Sequence, residues 1–460
     1  MSTDLVRIRS GVYHDSVSLM RVSQAVTDLP GVEVAVVAMA TELNRGIATE
    51  LGFDLPAAAP ADLLIALRSG DPGALETAAA ELDRLLAGLA GRTAGVTATE
   101  QPPRTVHAAA RDHASTLALV SVPGPHAFAE AMDAIEAGLS VMIFSDNVPV
   151  EQEVLLKRRA GELDVLVMGP DCGTAVIGGA GLGFANVLRP GPVGVVAASG
   201  TGAQQVTCLL DQAGVGVSHV LGVGGRDLSA DVGGLSTLRA LEALDADPAT
   251  ELIALISKPP APEAAHAVQE VVAKLGTPVV TALLGSGSGN LTTAAETALR
   301  ALGVPVPAWR AWPAPGARER AGTLRGVYSG GTLCVEARLT AGTGEFTDFG
   351  DDAYTRGRAH PMIDPALRLE ALAKVPPGDV VLLDVVLGHG ADPDPSARLA
   401  PGITAAVGRG VPVVVALVGS EGDPQGLDVQ AEALRAAGAA VFTSNAQAAE
   451  YAAGLPASAR

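Results

Sequence analysis

Continuous apolar runs alternate with amphipathic stretches along most of the chain. LALVSV (117–122), VMIF (141–144), DVLVM (164–168), VGVVAA (193–198), LIALI (252–256), VVLLDVV (380–386) and PVVVALV (412–418) lack the every-second-residue alternation of a half-exposed strand. Such runs predict strands covered on both faces, as in a parallel sheet. The stretches between them carry helical period. After VGVVAA, Val206, Leu209, Leu210 and Ala213 follow the i, i+3, i+4, i+7 spacing, and Gly214 supplies a stop. Strand, crossover helix and strand repeat, the pattern of an α/β protein.

The first 95 residues read differently. Strand LVRI is followed by a helix with Leu19, Val22, Val26 and Leu29 on one face, then by strand VEVAVVAMA and a short helix. Strand DLLIALRS and a helix with an acidic cap complete the segment. That order predicts a ferredoxin-like α+β domain over 1–95. Residues 96–190 and 191–303 read as two doubly wound units and 321–460 as a third. Between them, 304–320 holds four prolines and both tryptophans and reads as a linker.

Composition narrows the function classes. Aromatic residues are 3% of the chain while hydrophobic residues reach 48%, so the core is aliphatic. A net charge of −19 repels phosphate backbones, which excludes nucleic acid as a partner and leaves small anions bound in local positive pockets. Cys172, Cys208 and Cys334 are odd in number and form no CxxC pair, so neither a disulfide framework nor a metal site is expected. The amino-terminal MSTDLVRIRSGVYHD has no apolar signal region, and no apolar run reaches the roughly 18–20 residues of a membrane span. A cytoplasmic protein without a membrane partner is expected.

Two strand ends carry the best candidate chemistry. VGVVAA runs into Ser199-Gly200-Thr201-Gly202 and directly into a helix, which aims free N–H groups and two hydroxyls at one spot. That is a generic anion site, with an ordinary Ser199 N-cap as the alternative. In LLDVVLGHGADPDP a strand ends in Gly388-His389-Gly390, either a ligand loop or a turn with a solvent-facing histidine. Cys172, beside Asp171 in MGPDCGTAV, is a nucleophile or a small packed side chain. Cys208 on its helix and Cys334 in a strand-like run are expected in the core. GGAGLGF (178–184), GVGGRDL (222–228), GSGSGN (285–290) and YSGGTLC (328–334) are glycine loops that turns explain equally well. Arg226 and Lys258 are candidate cations for an anion, Lys258 standing at the end of LIALIS. His360, in RAHPMIDP, marks a possible functional loop.

GPDC, RPGPVGVVAASGTGAQQV, GVGG with Arg226 and Asp227, and ALDADPATELIALI resemble, in order and spacing, the α subunit of succinyl-CoA synthetase over about 117–260. Upstream, LVSVPGPHAFAEAMDAIEAGLSVMIFSDNVP resembles the later half of that family's CoA-binding domain. Residues 321–460 resemble the carboxy-terminal domain of the β subunit, with LGHG where its phosphate-directed helix begins. An α-like and a β-like ligase part fused without an ATP-grasp domain, behind an extra amino-terminal domain, resembles the FdrA family. The resemblance implies a CoA-binding-like Rossmann domain over 96–190 and flavodoxin-like ligase domains over 191–303 and 321–460.

It also implies a function. FdrA-like proteins are associated with a multisubunit oxamate carbamoyltransferase of allantoin breakdown, which converts oxalurate and phosphate into oxamate and carbamoyl phosphate. The ligand would be phosphate or carbamoyl phosphate, with nothing bound covalently. Ser199, Gly200, Thr201 and Gly202 would cradle it from one side and Gly388 and Gly390 from the other, with Lys258 and His389 catalytic. A small anionic substrate, further protein subunits and a homo-oligomer are the partners implied. QPPRTVHAAARDH replaces the glycine-rich CoA loop, His266 lies in a plain helical pattern instead of a phosphohistidine segment, and Ser257-Lys258 replaces its supporting glutamate. These departures argue against CoA as a ligand. The rival readings are an acyl-CoA synthetase subunit whose partner holds the nucleotide, and a non-catalytic assembly subunit.

Overall fold

In the computed structural model all seven continuous apolar runs contribute strands to parallel pairings. The structure describes the chain except residues 1, 13, 15, 94–102, 104, 286, 288, 316–320, 356–357 and 456–460. It divides into two units, one of residues 1–104, 121–123 and 352–364, the other of 105–120, 124–351 and 365–460.

The first unit contains β1 (Thr3–Arg9), α1 (Ser16–Thr27), β2 (Val32–Met39), α2 (Glu42–Glu50), β3 (Leu63–Ser69) and α3 (Pro72–Thr93). β3 lies between β1 and β2 and antiparallel to both, a split β-α-β. The sequence LLIALRS suits that central place because both faces are covered. Leu63, Ile65 and Leu67 pack with Leu19, Val22, Val26 and Leu82, while Leu64 and Ala66 pack with Ala48 and Phe53. Leu29 falls just beyond α1 but still packs against this core.

The second unit holds three sheets. The first comprises α4 (Val106–Asp112), β4 (Leu117–Val120), α5 (Gly124–Glu136), β5 (Ser140–Ile143), α6 (Val150–Glu162) and β6 (Val167–Met168), with strand order β4-β5-β6. The second comprises the hairpin β7 (Thr174–Ile177) and β8 (Ala180–Gly183), then β9 (Pro190–Ala198), α7 (Gly200–Gln212), β10 (Val217–Gly222), α8 (Leu235–Asp245), β11 (Leu252–Ser257), α9 (Pro262–Val272), β12 (Val279–Leu283) and α10 (Leu291–Ala301). Its order is β12-β11-β9-β10-β7-β8, parallel except for the hairpin.

The third sheet is formed by β13 (Ala311–Trp312), β14 (Leu324–Tyr328), α11 (Gly331–Ala341), β15 (Glu345–Asp348), α12 (Asp352–Thr355, assigned to the first unit), α13 (Ala366–Ala373), β16 (Val380–Val386), α14 (Pro395–Gly408), β17 (Val413–Val418), α15 (Leu427–Ala436), β18 (Ala440–Phe442) and α16 (Asn445–Ala453). Its order is β13-β18-β17-β16-β14-β15, with only β13, from the proline-rich stretch, antiparallel.

The second and third sheets share a topology. In each, the first parallel strand sends its helix to a neighbour on one side, and the third strand lies on the other: β9 stands between β10 and β11, β14 between β15 and β16. The carboxyl end of such a strand is a topological switch point, where open α/β sheets leave a crevice. α7 and α11 therefore occupy corresponding places. Cys334, expected in a strand-like run, lies in α11, because Gly330-Gly331 ends the strand at Tyr328 and starts a helix.

Candidate anion site between two helix ends

α7 and α11 bring their N-termini into contact. Ser199 takes extended backbone angles and its hydroxyl accepts from Gly202 N–H at 2.9 Å, which makes it the N-cap of α7. The same hydroxyl donates to Thr332 Oγ1 of α11 at 2.6 Å. The approach is possible because the facing positions are glycines. A Cβ on Gly330 would lie 2.7 Å from Thr201 Oγ1, and one on Gly202 would lie 3.1 Å from Thr332 Cγ2.

The first N–H groups of a helix have no intrahelical acceptor, and the helix dipole adds positive potential there. Gly200 and Thr201 of α7, and Gly331 and Thr332 of α11, donate their N–H to no acceptor among the described residues. Thr201, a residue only 8% exposed, packs its side chain against Gly330, and its hydroxyl likewise has no hydrogen-bond partner among the described residues. Two positive ends, unused donors and a lysine converge here. The Lys258 ammonium stands 3.4 Å from where a Cβ of Gly331 would be, and Asp348 Oδ2 stands 2.5 Å from the same point. Burial pushes the Asp348 carboxyl up to about 6, with the Gly350 N–H and Lys258 opposing the shift.

A buried acid sets α11 from behind. Asp384, in the middle of the fully buried β16, accepts from Ser329 N–H at 2.7 Å, Ser329 hydroxyl at 3.0 Å and Gly330 N–H at 2.8 Å. Burial raises its carboxyl, while the Arg368 guanidinium, 3.1 Å away and equally buried, pulls it back down. One turn into α11, buried Glu336 accepts from Leu291 N–H at the start of α10 and from Asn445.

The structure places the predicted residues as follows. Ser199, Gly200, Thr201 and Gly202 form one half of the junction, with Lys258 beside the other half. Gly388, His389 and Gly390 do not supply that other half, because α14 begins at Pro395 with Asp394 as its cap. The two glycines instead admit a neighbouring backbone. A Cβ on Gly388 would lie 2.6 Å from Ala185 O and one on Gly390 2.8 Å from the Phe184 ring, while His389 N–H donates to Ala185 O at 2.8 Å. The His389 side chain is exposed.

Cys172 is no activated nucleophile: it is buried, and that burial pushes its thiol up to about 12. Its neighbour Asp171 is exposed in a left-handed conformation. Arg226 is engaged elsewhere, bonding Val148 O at 2.7 Å and Glu153 at 2.9 Å beside the buried Lys157, which pairs with Glu153 and Asp227. His360 belongs to the first unit, where it anchors a turn by accepting Met362 N–H at its Nδ1. His266 is exposed on α9, 3.3 Å from Glu270.

Sequence reasoning set Gly330, Gly331 and Thr332 among the glycine loops that turns explain equally well, and missed Asp348 and Asp384. The signal was present for the first three, since LRGVY-Ser-Gly-Gly-Thr repeats the strand, small polar turn and helix of VVAA-Ser-Gly-Thr-Gly. For Asp384 it was an acid inside an otherwise apolar run.

Comparison with known proteins bears on each part of the chain. The AllF heavy metal-associated domain matches residues 1–103, the CoA binding domain residues 189–283 and the CoA-ligase family residues 327–455. The first name implies a metal, which the residues present do not fit. Residues 1–103 contain no cysteine and only one histidine, His14, and no group of three or more His, Cys, Asp or Glu able to hold a metal occurs among the described residues. Among the described residues, no helix is long and apolar enough to cross a membrane.

The alpha 2 subunit of the ADP-forming succinate–CoA ligase of Archaeoglobus fulgidus is 29% identical over 34% of this chain and 54% of that subunit. The alpha subunit of the malate–CoA ligase of Methylorubrum extorquens is 28% identical over 38% and 61%. The chain thus spans between half and two thirds of those relatives. These matches turn the reading from carbamoyl transfer towards CoA-ligase chemistry, and make CoA relevant where the sequence had argued against it. The uncharacterized protein YahF of Escherichia coli is 36% identical over 97% of both chains. With its CoA-ligase and CoA-binding parts behind an AllF-type domain, the chain belongs to the FdrA-like family of YahF.

Proposed function

We propose that this chain is a CoA-ligase-like subunit that binds a phosphoryl group, as phosphate or an acyl phosphate, between α7 and α11. Its reaction class is acyl transfer between phosphate and the thiol of CoA, with the nucleotide step left to a partner subunit. The observation that carries this reading is the junction itself, where two helix ends present unused N–H groups and the partnerless Thr201 hydroxyl beside Lys258. Fixed dipoles aimed at one point stabilise a phosphoryl oxyanion without reorganising. Ser199 and Thr332 hold the two ends together, and Lys258 offsets the charge of the bound anion.

The test is thermal unfolding of the purified chain with phosphate, carbamoyl phosphate or CoA, with chloride at matched ionic strength as the salt control. A ligand at 100 times its Kd adds about 2.7 kcal/mol to a reversible transition. Phosphate and CoA should both stabilise the chain, and replacing both Ser199 and Thr201 by valine should abolish the phosphate shift while leaving the CoA shift. An unchanged phosphate shift in that variant sinks the assignment.

One observation favours the narrower carbamoyltransferase reading: the described residues in contact at the junction include no histidine to carry a phosphoryl group. Phosphorolysis of oxalurate to oxamate and carbamoyl phosphate, with phosphate as the nucleophile, needs no such histidine. Stabilisation by carbamoyl phosphate with none by CoA would select it.

A further inference from the structure

Asp348 is out of keeping with a site built for an anion. It ends β15 and accepts a single hydrogen bond, from Gly350 N–H to Oδ1 at 2.9 Å, while Oδ2 bonds nothing among the described residues and faces the first residue of α11. Lys258 faces the same point from the end of β11. The other charged or titratable groups that act on Asp348 are Asp384 on β16, Arg368 on α13, Cys334 on α11 and Asp351 just past β15. Arg368 is committed to Asp384, and Cys334 is held neutral by burial, its thiol pushed up to about 12. Lys258 is thus the one cation facing Asp348 that is not already paired with another acid among the described residues. Without a ligand, the Asp348 carboxylate serves as counter-ion to the positive end of α11.

An anion entering the junction must share that helix end with Asp348. Two negative groups a few ångströms apart in a partly dry site do not both stay ionised. We propose that Asp348 is the proton-holding residue of the site: it takes one proton from solvent as an anion fills the junction and releases it as the anion leaves. This inference rests on the anion-site reading given above. Its consequence is that anion binding is proton-linked and weakens as pH rises, although the groups that bind the anion are helix N–H donors, hydroxyls and a lysine. Burial already sets Asp348 near 6, so the change falls within an accessible range.

Titration calorimetry of the full chain with sulfate tests this, because sulfate itself does not titrate between pH 5 and 9. Buffers of different ionisation heats count the protons taken up. The wild-type chain should take up close to one proton at pH 7.5, and its sulfate affinity should fall roughly fiftyfold between pH 5.5 and 8. Asp348→Asn should lose both the uptake and the slope, and at pH 8 should bind sulfate at least as tightly as wild type. Binding without proton uptake in the wild type overturns the inference with no variant needed, and so does a variant that keeps the wild-type slope. If instead sulfate fails to bind, or binds equally well after Ser199 and Thr201 become valine, the reading of the junction itself has failed.

Discussion

The two helix ends that meet in this protein occupy equivalent topological places but are held by opposite means. α7 is capped by a neutral hydroxyl, Ser199, and the polar groups of its first turns, Gln204 and Gln205, are neutral amides bonded to Asn186 and Thr443. α11 is anchored by two buried acids, Asp384 on the N–H groups of Ser329 and Gly330 just ahead of it and Glu336 in its second turn. A neutral cap leaves the positive end of α7 at full strength for a ligand. A buried carboxylate draws down part of the potential of α11, and Arg368 restores the balance from the other side. The difference teaches that a helix N-terminus becomes an anion site through the donors left over after capping. Here each helix keeps donors in its first turn, where the two ends touch through Ser199 and Thr332.

Breaking the charged anchor should have the largest effect. Asp384→Asn keeps the shape of the side chain but leaves Arg368 charged and without its acid in the core. Removing one partner of a buried pair typically costs about 3–5 kcal/mol, to be read from urea unfolding. A loss below about 1 kcal/mol would mean that Arg368 finds another partner and that the backbone carbonyls it touches, Val327 O and Asp384 O, suffice.

The second acid gives α11 a pH dependence. Burial raises the Glu336 carboxyl from 4.5 to about 7, with Asn445 and Leu291 N–H opposing. Because the folded value is raised, the stability it confers is complete below the unfolded value and is lost as pH climbs through about 7. Between pH 5 and 8 unfolding free energy should drop by about 2–3 kcal/mol, and Glu336→Gln should flatten that slope. A Glu336→Gln chain with the wild-type pH profile would place the titration elsewhere.

The neutral cap should matter least for stability. Ser199→Ala removes the bond to Gly202 N–H and the contact with Thr332, an expected loss of about 1 kcal/mol in the same unfolding measurement. A loss equal to that of Asp384→Asn would erase the contrast between the two ends.

Much of the fold was legible in the sequence. VVLLDVV and PVVVALV could only be strands covered on both faces, and both are buried along their length. VVAASGTG announced a strand entering a helix through small polar residues, and Ser199 caps α7 as that pattern requires. The Gly388-His389-Gly390 turn carried the same local signal and proved to be packing against Phe184 and Ala185. Local pattern shows that a turn is glycine-rich and cannot show what approaches it.

What the sequence by itself determined is the set of parallel strands, the helices between them and the polar glycine turns at strand ends, because hydrophobic period and backbone permissiveness are properties of short segments. What only the tertiary structure decided is which of those turns face each other. Ser199 and Thr332 lie 133 residues apart and Asp384 lies 55 beyond Ser329, yet each pair is in hydrogen-bond contact. The equivalent topology of two sheets puts α7 and α11 at corresponding switch points, and burial then turns Asp348, Glu336 and Asp384 from ordinary acids into groups whose charge depends on their neighbours.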